Sequence, residues 1–80
     1  MKHFVYILHS ASKDVFYKGY SYDPLIRLET HNVGGSRYTS DGIPWKLVLQ
    51  KEFESKKLAL IEEKRIKRLN RVSILKLINT

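Results

Sequence analysis

Phe16-Tyr17-Lys18-Gly19-Tyr20-Ser21-Tyr22-Asp23-Pro24-Leu25-Ile26-Arg27-Leu28-Glu29-Thr30-His31-Asn32 is a strand that turns into a helix. The first part is rich in aromatic residues and carries a glycine, which suits the end of a strand. Asp23-Pro24 then reads as an N-cap followed by proline at the first helical position. In the helix that starts there, Arg27 and His31 stand four residues apart and share a face. The strand delivers Tyr17 and Gly19 to the edge of a pocket, and the helix behind it delivers a guanidinium and an imidazole. Those groups hold a phosphate.

The rest of the chain extends this unit in both directions. Upstream, Phe4-Val5-Tyr6-Ile7-Leu8 is apolar on both faces, so both sides of its sheet are expected to be covered. Ser10 to Asp14 is turn-like, and Val15 to Tyr20 returns as the second arm of a hairpin. Tyr17 and Gly19 point to one face, with Phe16, Lys18 and Tyr20 on the other. Gly19 permits either a close approach to the backbone or a bulge. The helix runs from Pro24 to about His31 with Leu25, Ile26 and Leu28 as its apolar stripe, and Asn32 with Gly34-Gly35 ends it.

Residues 33–44 form a glycine-rich loop, expected to be mobile, from which Arg37 and Tyr38 can reach a ligand. Trp45 to Phe53 is a third strand with Trp45, Leu47, Leu49 and Phe53 on the core side. Ser55 caps a helix to about Leu69. A last helix, about Val72 to Ile78, turns Ile74, Leu75 and Ile78 inward. The order β-β-α-β-α-α predicts an α+β fold, a three-stranded antiparallel sheet flanked by helices, in a single domain spanning 1–80.

Eighty residues hold one small core. Cysteine is absent, which removes disulfides and thiolate metal sites and suits a reducing compartment. His3, His9 and His31 lack zinc-ligand spacing. The net charge of +7 favours a polyanionic partner, with nucleic acid ahead of an anionic membrane surface. The apolar run Phe4 to Leu8 is too short to span a bilayer, so the chain reads as soluble and cytoplasmic. On the second helix, Leu58, Ala59, Leu60, Ile61, Ile66 and Leu69 surround both Glu62 and Glu63. A carboxylate among apolar neighbours costs free energy unless paired or bound to a cation. Periodicity leaves open which of the two faces inward. Lys64, Arg65, Lys67, Arg68 and Arg71 make either a solvated face or a phosphate-tracking stripe.

Taken together, these residues resemble the GIY-YIG nuclease superfamily, close to its minimal bacterial single-domain members. Val5-Tyr6-Ile7 stands at the first motif, with Tyr6 at the tyrosine of Gly-Ile-Tyr. Tyr17-Lys18-Gly19 stands at Tyr-Ile-Gly, and Ser21, Asp23, Arg27 and His31-Asn32 follow at the family's spacing. Thr39 and Pro44-Trp45 match the middle of the pattern. Ala59 to Lys67 matches Ala-Leu-x-x-Glu-x-x-Ile-Lys, which selects Glu63 over Glu62. Val5 and Lys18 depart from the motif consensus without removing a catalytic group. No further DNA-binding module accompanies the pattern, so a defined sequence target is not implied.

The resemblance implies phosphodiester hydrolysis of nucleic acid, DNA foremost, with one Mg²⁺ or Mn²⁺ on Glu63. Arg27 would clamp the phosphate and Tyr6 would act as general base, with Tyr17 and His31 orienting it. A phenol has a free pKa of about 10, so a nearby cation is expected to lower that of Tyr6. His31 is the alternative base. Lys18, Arg27, Arg37, Tyr38, Lys64, Lys67 and Arg68 are the candidate nucleic-acid contacts. A catalytically silent binding module of the same fold is the competing reading.

Overall fold

Strand β1 (His3–Ser10) lies at the centre of a three-stranded sheet, between β2 (Val15–Ser21) and β3 (Trp45–Phe53), and pairs antiparallel with both. This computed structural model describes residues 2–79. Helix α1 (Pro24–Asn32) connects β2 towards β3, while α2 (Lys56–Lys67) and α3 (Arg71–Ile78) follow β3. The expected order and α+β class hold. Among the described residues no helix is long and apolar enough to cross a membrane.

The double-sided apolar character of β1 has the consequence read from it. Val5 and Ile7 pack on one face with Ala59 and Ile66 of α2 and Ile74 of α3. Tyr6 and Leu8 pack on the other with Trp45 and, partly buried, Leu28 of α1. β1 is thus covered on both sides, and β2 is left as an edge.

Three details differ from the sequence reading. The β1–β3 register shifts between Ile7 and Leu8, where Ile7 pairs with Leu49 and Leu8 with Leu47. The extra residue, Val48, reverses the alternation, because a bulge breaks the period of two. Trp45 and Leu47 therefore serve one layer, while Leu49 and Phe53 serve the other. In α1, Leu25 and Ile26 face away from the sheet and are 65% and 60% exposed. The inward side carries Pro24, Leu28 and His31 instead, at i, i+4 and i+7, so a polar residue holds a place that hydrophobicity assigned to apolar ones. In α3, Leu75 faces outward, and Leu77 joins Ile74 and Ile78 against the core.

Helix α2 also turns an unexpected face inward. Leu58, Leu60 and Ile61 are exposed, whereas Ala59 and Ile66 are buried with Glu62 and Glu63 half-buried between them. Glu62 is fully engaged: Lys51 of β3 donates to Oε2 at 2.8 Å, and Arg65 donates to both oxygens at 2.7 and 2.9 Å. Arg65, read as part of a basic stripe, is thereby committed to the fold. So is Arg71, which donates to the Asp14 carbonyl and carboxylate at 2.9 and 2.8 Å and ties α3 to the β1–β2 turn.

Two stability measurements follow. In urea unfolding, Ile66→Ala should lose about 2–5 kcal/mol, because the buried side chain leaves a cavity. Leu25→Ala should change stability by roughly 0.5 kcal/mol or less. The Arg65 hydrogen bonds, reinforced by Lys51, hold the Glu62 pKa at about 2, against an ordinary 4.5. A depressed carboxylate contributes stability above its unfolded pKa and loses it as pH falls towards the folded value. Glu62→Gln should flatten the acid decline in unfolding free energy between those two values, and an unchanged decline would contradict this ion-pair cluster.

Candidate active site

Tyr6 sits opposite Gly19 in the β1–β2 ladder. A β-carbon on Gly19 would stand 2.6 Å from both Cζ and Oη of Tyr6. The close approach that the sequence allowed at Gly19 is made by the chain's own tyrosine, whose ring lies across β2 towards the free edge of the sheet. The side chain is 1% exposed.

A chain of hydrogen bonds fixes the ring's hydroxyl. Tyr6 Oη lies 3.3 Å from His31 Nε2, and His31 Nδ1 lies 2.6 Å from Thr39 Oγ1. The Thr39 hydroxyl donates to the Ser36 carbonyl at 3.4 Å. That pattern assigns the proton to Nδ1, donating to Thr39, and leaves Nε2 to accept from the Tyr6 hydroxyl. Thr39 is held in turn by Trp45, whose Nε1 donates to the Thr39 carbonyl at 2.8 Å. Asn32 clamps Trp45 on both sides, its Oδ1 accepting from the backbone N at 2.6 Å and its Nδ2 donating to the carbonyl at 2.9 Å. The loop expected to be mobile is thus anchored at Thr39, with a 3-10 turn at Ser40–Gly42.

The electrostatics correct one expectation. The Tyr6 pKa is raised above the ordinary 10.0, because burial outweighs the hydrogen bond and positive charge of Arg27, and Tyr17 and Glu63 add to the rise. A cation does stand beside the phenol, yet the phenol keeps its proton at neutral pH. Burial first and Arg27 second lower the His31 pKa below 6.5, so the imidazole is neutral there. The Tyr17 ring packs 4.8 Å from the His31 ring and 6.3 Å from that of Tyr6.

Glu63 completes the group from α2. Its side chain is 17% exposed, and its ion-pair partner is Lys67 at 3.5 Å. Glu62, one residue earlier, is saturated by Lys51 and Arg65. Among the described residues, no cluster of three His, Asp or Glu side chains could hold a metal. A cation here would depend on Glu63, water and the ligand's own oxygens, a donor set that fits Mg²⁺.

The candidate nucleic-acid contacts divide. Lys18, Tyr38 and Lys67 line one cavity of about 500 Å³ with Phe16 and Tyr17. Tyr38 is 88% exposed, its ring 6.3 Å from that of Tyr17. Lys64 lines a second groove with Glu63. Arg37 and Arg68 are exposed. Sequence reasoning gave Asn32 the end of the first helix and Trp45 a place on the core side, gave Thr39 no physical task, and missed the hydrogen bonds that join the three. Their local signal was one polar residue before the glycine-rich loop, one within it and a tryptophan directly after it.

The model of the GIY-YIG catalytic domain matches residues 2–76. A UPF0213 protein of Oceanobacillus iheyensis is 40% identical over 78 residues, covering 96% of this chain and 90% of that protein. A UPF0213 protein of Staphylococcus aureus is 43% identical over 77 residues, covering 95% and 93%. The solution NMR structure of a UPF0213 protein from Bacillus halodurans superposes with a TM-score of 0.63 at 35% identity, covering 99% of this chain and 84% of that one. With a family match running from β1 into α3 and relatives aligned over nearly its whole length, the chain belongs to the GIY-YIG family and, within it, to the UPF0213 proteins.

Proposed function

We propose that this protein is a metal-dependent endonuclease that hydrolyses phosphodiester bonds in nucleic acid, DNA foremost, in the cytoplasm. The observation that supports the reading is a buried Tyr6 hydroxyl hydrogen-bonded to His31 beside the Tyr17 ring, on which the opposite charges of Arg27 and Glu63 both act. A module that only binds phosphates needs the arginine but not a buried phenol hydrogen-bonded to a neutral imidazole.

A relay through two residues removes the difficulty of a phenol as base. The attacking water gives its proton to Tyr6 Oη as the phenol gives its own to His31 Nε2. Tyr6 need not ionise beforehand, and the lowered pKa of His31 keeps Nε2 free to accept at neutral pH. The proton on Nδ1 stays there, donated to the Thr39 hydroxyl oxygen, which holds the imidazole in the accepting tautomer. Arg27, whose positive charge acts on Tyr6, has N–H groups for the scissile phosphate and for charge that grows as the new P–O bond forms and the old one breaks. Glu63 would hold Mg²⁺ or Mn²⁺, which supplies Lewis-acid stabilisation of the phosphate and the leaving oxygen. Lys18, Lys67 and Lys64 would carry the flanking phosphates, with Tyr38 beside them.

Single-turnover cleavage and equilibrium binding on the same variants test the reading. Arg27→Ala should slow cleavage by about two orders of magnitude or more, with a much smaller loss of affinity. Arg27→Lys should recover little of the rate, since a point charge lacks the planar fork. Glu63→Ala should abolish cleavage, and Glu62→Ala should leave most of it. A parent inactive on DNA and RNA panels with either metal would sink the enzyme in favour of a binding module. The parent's rate should also fall as acid protonates His31, with an inflection below pH 6.5. A rate that rises through that range would contradict the relay.

A further inference from the structure

One face of α2 runs along the free edge of β2. Lys56 stands with its ammonium 5.9 Å from the centroid of the Tyr20 ring, while Lys67 lies beside Phe16, Tyr17 and Lys18. The two lysines are eleven residues apart, roughly 16 Å along the axis. Glu63 lies between them on the same stripe. The Lys67 end belongs to the site described above, and the Lys56 end has no task there.

That end holds two adjoining features. A groove of about 590 Å³ is lined by Lys56, Lys57, Leu60, Ile61, Glu63 and Lys64. Its aliphatic floor lies open, with Ile61 57% exposed. Next to it, joined through Lys56, is a cluster of three rings. His3 stacks on Tyr20 with centroids 6.0 Å apart, and Tyr22 packs 5.3 Å from His3 and 5.8 Å from Tyr20. His3 Nδ1 and the Tyr20 hydroxyl are 2.7 Å apart, which locks those two rings and leaves half-exposed Tyr22 as the outer one.

We propose that this groove and ring cluster seat one unpaired nucleotide next to the scissile bond, so that the preferred substrate is a single strand, overhang or flap rather than intact duplex. The proposal rests on the nuclease reading for its position beside Glu63. Charge complementarity selects the occupant: three lysines surround one carboxylate, which suits a phosphodiester strand and disfavours a cationic partner. The apolar floor and the rings select its state. A duplex presents phosphates and keeps its bases stacked inside, so aliphatic and aromatic side chains gain contact only with a base that has left the stack.

Fluorescence anisotropy and 2-aminopurine emission in EDTA separate binding from cleavage. The probes are a blunt duplex, the same duplex with an unpaired 2-aminopurine overhang, and an RNA version of the overhang strand. The parent should bind the overhang more tightly than the blunt duplex and quench its emission. Tyr22→Ala should weaken overhang binding by roughly five- to hundred-fold, the usual range for one lost stacking partner, and should relieve the quenching. Tyr22→Phe should behave as the parent. The RNA arm identifies which strand chemistry the site takes. Blunt duplex bound as well as overhang, or Tyr22→Ala binding the overhang like the parent, overturns the nucleotide site and leaves the nuclease reading untouched. Tyr22-dependent overhang binding by a parent that cleaves nothing supports the site and sinks the nuclease.

Discussion

Gly19 lacks the β-carbon that would otherwise collide with the ring of Tyr6, and the site depends on that vacancy. A tyrosine on the central strand of a covered sheet ordinarily ends in the core, its hydroxyl searching for a partner at the rim. Here the ring lies over the neighbouring strand and carries its oxygen to the sheet edge, while its carbon atoms still pack with Leu8 and Trp45. The phenol is at once a core residue and the centre of a polar cluster. Helix α1 then supplies the imidazole on the face where apolar residues were expected, and the clamp from Asn32 through Trp45 and Thr39 fixes its orientation. A buried imidazole is tolerable because both nitrogens are hydrogen-bonded.

The two adjacent glutamates divide their tasks by partner rather than by burial, since their side chains are 14% and 17% exposed. Glu62 is compensated by two cations and ties α2 to β3. Glu63 has one lysine at longer range and lies close enough to Tyr6 to raise its pKa. A half-buried carboxylate with so little compensation is unfavourable in isolation and suited to a cation. The folded chain therefore keeps a weakly compensated negative charge within electrostatic reach of its buried phenol.

Much of the fold was legible because its signals are local. Asp23-Pro24 caps α1 as read, with the Asp23 carboxylate accepting from the Leu25 and Ile26 amides, and Ser55 caps α2. The alternation of Trp45 to Phe53 marked β3 correctly but not its bulge, which depends on how it registers against β1. The exposure of Leu25, Ile26, Leu60 and Ile61 was not readable either, because hydrophobicity alone assigns such residues to the interior. The side chains of the site were legible as a set; their connections were not. His31 to Thr39 spans a loop, and Arg71 to Asp14 joins residues 57 apart. The direction of the Tyr6 pKa turned on burial, a property of three-dimensional packing that Arg27 at suitable spacing could not reveal.

The most direct test of this account is the single-turnover cleavage rate of Gly19→Ala beside the parent, with thermal melts of both. A methyl group on Gly19 must displace the Tyr6 ring, and overpacking of this kind costs about 1–3 kcal/mol, so the variant should melt earlier but remain folded. Displacing a reacting group by about 1 Å costs on the order of a hundred-fold in rate. The account predicts a folded variant that binds nucleic acid nearly as the parent does and cleaves it at least that much more slowly. A folded Gly19→Ala protein cutting at the parent's rate would contradict it, because the phenol position on which Arg27, His31 and Glu63 converge would then not matter to the chemistry.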